Sequence, residues 1–64
     1  MMRHIKIGDI VRIEIPEANG DPFHVLVLTE PIWHGIDCLC DVMLIETGEI
    51  ETSFPIVESD TVIA

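Results

Sequence analysis

The sequence predicts an all-β domain, a small barrel of five short strands, and three observations carry that prediction. Val11, Ile13 and Ile15 alternate with Arg12 and Glu14, the period-two signature of a half-buried strand. Two further runs, Phe23 to Thr29 and Asp37 to Glu46, are apolar at both parities, so each shows an apolar side chain to both of its faces. No stretch carries the 3.6-residue spacing of an amphipathic helix. Sixty-four residues make a single domain over 1–64, one that buries only about 60% of its unfolded surface and needs reinforcement.

The elements follow in chain order. Ile5 and Ile7 keep the parity of the first strand, and Gly8-Asp9 interrupts it as a bulge or bend. Pro16 ends that strand, and Pro16 to Pro22, with Asn19-Gly20 between two prolines, has the chemistry of a long loop. Phe23 to Thr29 is the second strand. Glu30 to Gly35 breaks the pattern as a second loop. In the third strand, Asp37 to Glu46, Cys38, Cys40, Val42 and Leu44 share one face and Leu39, Met43 and Ile45 the other, with Asp41 as the exception. Thr47-Gly48 is a tight connection. Glu49 to Phe54 returns to alternation, with Ile50 and Phe54 inward and the carboxylates outward. Pro55 closes this strand, one turn of 3₁₀ helix over Pro55–Asp60 follows, and Thr61 to Ile63 forms the last strand.

Composition excludes several functions. After Arg12 no lysine or arginine occurs, while eleven of the twelve carboxylates lie in that stretch. Binding to phosphates needs clustered basic side chains, so direct nucleic-acid binding is not expected. The longest apolar runs are four residues or fewer, far from the ~20 that span a bilayer, and an anionic leaflet repels this charge; no membrane role is expected. The first residues lack the apolar core and cleavage site of a signal peptide, and two cysteines make no disulfide framework, so a reducing, cytoplasmic setting is expected. Eleven Ile, six Val and four Leu give a positive mean hydropathy despite a net charge of −9. This balance implies apolar surface that one small barrel cannot hide, and hence self-association or docking on a protein partner.

The run Lys6-Ile7-Gly8-Asp9-Ile10-Val11-Arg12-Ile13, then Val25-Leu26-Val27-Leu28, Glu46-Thr47-Gly48-Glu49 and Asp60-Thr61-Val62-Ile63, resembles the small SH3-like barrel proteins encoded by tailed bacteriophages. The resemblance spans nearly the whole chain and implies an SH3-like barrel and an accessory role, in the host cytoplasm or in the virion. The Gly-Asp-Ile-Val-Arg start also recurs in KOW-type domains. Those use basic loops, whereas these loops are acidic, so ribosomal and transcription-factor roles do not carry over.

His34, Cys38, Cys40 and Asp41 combine zinc-ligand chemistries, but Cys38-Leu39-Cys40 lies within a strand and has no second cysteine pair, unlike structural zinc sites. They read instead as two small buried hydrophobes, and neither metal nor other cofactor is expected. Ser53, Ser59, the two cysteines and the three histidines sit in no catalytic motif, so no enzymatic activity is expected. Trp33 has two readings, an exposed ligand contact or a cap over one open barrel end. Glu46, Glu49, Glu51, Glu58 and Asp60 concentrate toward the C-terminus, either as a solvated face or as a surface for a basic partner. Leu26, Leu28, Leu39, Met43 and Ile45, with Trp33, are the candidate partner-binding residues. In so small a barrel one strand face fills the core, and these residues or their opposite-parity neighbours have no place inside unless a terminal segment folds across them. The expected protein is a non-enzymatic interaction module that works as a homo-oligomer through this apolar strand face, such as a phage accessory or structural component. The alternative is an acidic inhibitor of a host nucleic-acid enzyme or defence protein.

Overall fold

Six strand segments, all paired antiparallel, make one sheet: β1 (Ile10–Ile13), β2 (Phe23–Val27), β3 (Ile32–His34), β4 (Asp37–Leu44), β5 (Ile50–Val57) and β6 (Thr61–Val62). The computed structural model describes residues 5–14, 22–57 and 60–63, and no helix occurs among them. The expected first loop apart from Pro22, the strand end at Ile15, and residues 1–4, 58, 59 and 64 lie outside the described residues.

The long strand β4 organises the sheet. Along one edge its first half pairs with β3, with Ile32 opposite Leu39, and its second half with β2, with Leu26 opposite Met43; along its other edge lies β5. β2 in turn pairs with β1, and β1 with β6. No ladder among the described residues joins β5 to β6, so the sheet is not closed by hydrogen bonds. Val11, Ile13, Val25, Val27, Cys38, Cys40, Val42 and Ile56 project from one side of this sheet into a core that Ile5 completes. The period-two pattern of β1 matches the sequence expectation, and β2 and β4 each bury one of their two apolar parities.

Gly8-Asp9 forms the expected bend. The Asp9 N–H donates to the Lys6 carbonyl at 3.0 Å and the Lys6 N–H to Asp9 Oδ2 at 3.0 Å, which satisfies the buried Asp9 carboxylate. Gly8 has a φ of 92°, a conformation that L side chains resist. The Gly8 N–H donates to the Val27 carbonyl and the Val27 N–H to the Asp9 carbonyl, each at 2.9 Å, so pairing of this segment with β2 runs on past Ile10.

Three expectations are corrected. The loop assigned to Glu30–Gly35 contains β3, a three-residue strand that turns through Gly35-Ile36 and pairs back on β4; pairing rather than periodicity makes it a strand. Pro55 does not close its strand. β5 runs on to Val57, and proline is tolerated there because, among the described residues, β5 pairs only with β4 and its other side is an edge. The expected 3₁₀ turn is accordingly absent at Pro55–Val57; residues 58 and 59 of the connection lie outside the described residues, and the Asp60 N–H donates to the Val57 carbonyl at 3.0 Å.

The third correction concerns Ile50. Cys40 lies opposite Phe54 but Val42 lies opposite Glu51, so Thr52 and Ser53 together face Asp41 in a β-bulge. Ser53 adopts a φ of 51°. The Ser53 N–H donates to Asp41 Oδ1 at 3.1 Å, the Asp41 N–H to Thr29 Oγ1 at 2.9 Å, and the Leu28 N–H to the Asp41 carbonyl at 2.8 Å. Asp41, the odd polar residue of its strand, thus ties the end of β2 and the bulge of β5 to the middle of β4. The bulge reverses the parity of β5. Phe54 packs against the core, while Ile50 turns to the opposite side of the sheet and is 63% exposed.

Candidate interaction face

The outer side of the sheet gathers the apolar residues that the core cannot use. Ile10 lies opposite Leu26, Leu26 opposite Met43, and Met43 opposite Ile50, a continuous row across β1, β2, β4 and β5. Ile10, Leu26 and Met43 each have the parity opposite to a fully buried neighbour, as Leu26 has between Val25 and Val27, whereas both neighbours of Ile50 are exposed. Beyond this row on one side lie Leu28, Leu39 and Ile32, and on the other Ile45. Ile32 is 62% exposed and Ile45 42%.

Of the six residues singled out from sequence, Leu26, Leu28, Leu39, Met43 and Ile45 therefore share one face. Trp33 does not. It lies opposite Cys38, on the core side, and is half-buried against the core cluster. Ile10, Ile32 and Ile50 join the face without having been singled out. The parity of Ile10 against Val11 was a usable signal, whereas Ile32 was hidden by the loop assignment and Ile50 by the bulge.

The rim of the face is polar. His24 follows Leu26 on the same parity and lies opposite Arg12. The β4–β5 loop folds over it: the Ile45 N–H donates to the His24 carbonyl at 3.0 Å, the His24 N–H donates to Glu46 Oε1 at 3.1 Å, and His24 Nδ1 lies 2.7 Å from Glu46 Oε2. These hydrogen bonds, first that of the imidazole and then that of the backbone N–H, hold the Glu46 carboxyl below its ordinary value. Gly48, with a φ of 79°, completes the loop by donating to the Leu44 carbonyl at 2.7 Å.

The carboxylates that are close in sequence are not one patch. Glu46, Glu49 and Glu51 are exposed around the β4–β5 loop. Asp60 sits at the far end of β5, where its Oδ2 accepts the Val57 N–H at 3.1 Å. Burial pushes the Asp60 carboxyl upward, and the charge of nearby Glu14 adds to the effect. Glu58 lies outside the described residues.

Cys38 and Cys40 are free and buried, and both face the core. Burial is the first cause that raises both thiols, and with the neighbouring Cys38 it pushes Cys40 up to about 11. Such thiols are poor nucleophiles and poor metal ligands at neutral pH. Among the described residues no group of three His, Cys, Asp or Glu side chains is arranged to hold a metal ion, and no helix is long and apolar enough to cross a membrane. No protein-family model, curated protein or solved structure matches the chain.

Proposed function

We propose that the protein is a non-enzymatic interaction module that works as a homo-oligomer through the outer face of β1, β2, β4 and β5. The observation that carries this reading is the uncharged cross-strand row Ile10, Leu26, Met43 and Ile50, flanked by Leu28, Leu39, Ile32 and Ile45. The strand axes of the row span three spacings of about 4.8 Å, or about 14 Å, and Leu39 to Ile45 along β4 spans about 20 Å. That makes roughly 300 Å² in projection, a window that includes Asp41 between Leu39 and Met43 and has the size of the largest apolar patch on an ordinary monomer, which is often functional.

The finer fold reading is an SH3-like barrel. With β3 set aside as an inserted hairpin strand, β1, β2, β4 and β5 form a meander and β6 returns to the free edge of β1, an order that supports it. With the phage resemblance, this reading makes the protein a structural or decorating component of a particle, where symmetry supplies the second copy. A second reading, an acidic modulator of a host nucleic-acid enzyme or defence protein, draws on the exposed Glu46, Glu49 and Glu51 around one loop.

Sedimentation of the Met43→Glu and Ile45→Glu variants tests the leading reading. A charge in the middle or at the margin of the face dissociates the oligomer while the urea midpoint at low protein concentration stays close to that of the parent chain. A parent chain that sediments as a monomer at micromolar concentration would refute it and leave the acidic loop as the leading surface.

A further inference from the structure

Two copies could meet edge to edge or face to face, and the sheet bars the first. Its edges are short or guarded in the ways that prevent strand addition: β3 has three residues and β6 two, while β5 carries the Thr52-Ser53 bulge, Pro55 and the exposed Glu51. The face, by contrast, is self-complementary. Read from β1 to β5 the row runs Ile, Leu, Met, Ile, nearly the same from either end, and Ile63, whose N–H donates to the Ile10 carbonyl, extends it beyond β1.

Resting on the oligomer reading above, we propose that two copies pack these faces together about a two-fold axis that runs parallel to the strands, between β2 and β4. This axis lays Ile10 of one copy on Ile50 of the second and Leu26 on Met43, with the strands of the two sheets nearly aligned, as in sheet-on-sheet packing. The other in-plane axis, perpendicular to the strands, would lay β1 on β1 and β5 on β5.

Charge selects between the two axes. Arg12 is the sole lysine or arginine in the strands, it stands one outer-face position beyond Ile10, and it makes no ion pair with a described residue. Toward the other side of the same level of the sheet, the β4–β5 loop carries the exposed Glu49, while Glu46 folds back onto His24 of β2. The parallel axis brings Arg12 of each copy toward the loop of the other, which forms two complementary contacts at the rim. The perpendicular axis would set Arg12 near Gly8 of the second copy and leave the loop carboxylates without a counter-charge. The two faces together supply roughly 600 Å², short of the ~1,200 Å² of a standard interface, so the rim with Arg12 and the loop carboxylates has to contribute.

Cysteine cross-linking of the full chain reads the axis directly. Ile10 and Ile50 of one copy stand about 14 Å apart across the sheet, beyond the ~7 Å reach of a disulfide, and the native Cys38 and Cys40 are buried. Under oxidising conditions, Ile10→Cys alone and Ile50→Cys alone stay single chains on a non-reducing gel. Their equimolar mixture gives at least about tenfold more linked pair than either alone, the excess expected when only the mixed pair brings the two sulfurs within reach. Self-linking of Ile10→Cys, self-linking of the edge variant Thr52→Cys, or an unlinked mixture that still scatters light as a dimer would each overturn the axis and leave the oligomer reading standing. A monomer by light scattering would overturn both.

Discussion

Replacing Asp41 by alanine removes the one side-chain hydrogen bond that holds the β5 bulge, and its cost can be worked from the geometry. Asp41 Oδ1 accepts the Ser53 N–H at 3.1 Å, and Ser53 is held at a φ of 51°, where a non-glycine residue carries roughly 1–2 kcal/mol of strain. A hydrogen bond to a charged acceptor contributes about 1.5–3 kcal/mol. Asp41 is only half-buried, so water replaces part of that, and the expected loss for Asp41→Ala is about 1–1.5 kcal/mol. Asp41→Asn keeps the accepting oxygen and loses less. Ser53→Gly removes the strain at the cost of extra freedom in the unfolded chain, for a net gain of about 0.5 kcal/mol. Urea unfolding followed by Trp33 fluorescence, at one fixed protein concentration because association adds to apparent stability, measures all three. If Asp41→Ala stays within about 0.3 kcal/mol of the parent, the range typical of inconsequential surface changes, Asp41 does not pin the bulge and the account of why Ile50 faces outward fails.

The remaining predictions concern titration and reactivity. Because the folded Glu46 carboxyl lies below its ordinary value, its stabilising contribution is present above the unfolded carboxyl value of about 4.3 and is lost as pH falls through the folded one. An NMR titration of Glu46 should therefore show an upward move in His24→Ala, and an unmoved carboxyl would contradict the hydrogen-bond account. Iodoacetamide at pH 8 should leave Cys38 and Cys40 unmodified in the folded protein and label both in urea, since both thiols are buried and that of Cys40 is pushed up to about 11; rapid labelling of the folded chain, read by mass spectrometry, would show that this part of the core opens. Met43→Glu should lower the sedimenting mass with little change in monomer stability, because Met43 stands on the outer side of the sheet opposite Leu26 and Ile50.

Much of this architecture was legible because period-two patterning reports burial wherever a strand is regular. The alternation of Val11 and Ile13 located β1, and the two-sided runs at Val25–Leu28 and Cys38–Ile45 showed that β2 and β4 carry one apolar face more than a core takes, without deciding which parity faces outward. The misreadings have a common physical origin in contacts distant in sequence. Ile32–His34 is a strand because β4 holds it, with Pro31 and Gly35 alongside that locally suggest a loop. Pro55 is tolerated because β5 lies at an edge, which is a property of the sheet and not of the segment. Ile50 faces outward because a carboxylate on β4 stabilises a bulge two residues further along β5, and the alternation that includes Phe54 carries no mark of it. The acidic third of the chain looked like one patch, yet the eight residues of β5 separate Glu46 and Glu49 from Asp60, with Glu51 at the near end of that strand.

The central claim is that the outer apolar face is covered by a second copy of this chain. Light scattering of the full chain at two concentrations and two salt levels tests it most directly. The account predicts a mass of twice the 7.2 kDa chain at micromolar concentration, retained at high salt with only the modest weakening expected of rim charges. A mass of one chain under all four conditions would contradict it.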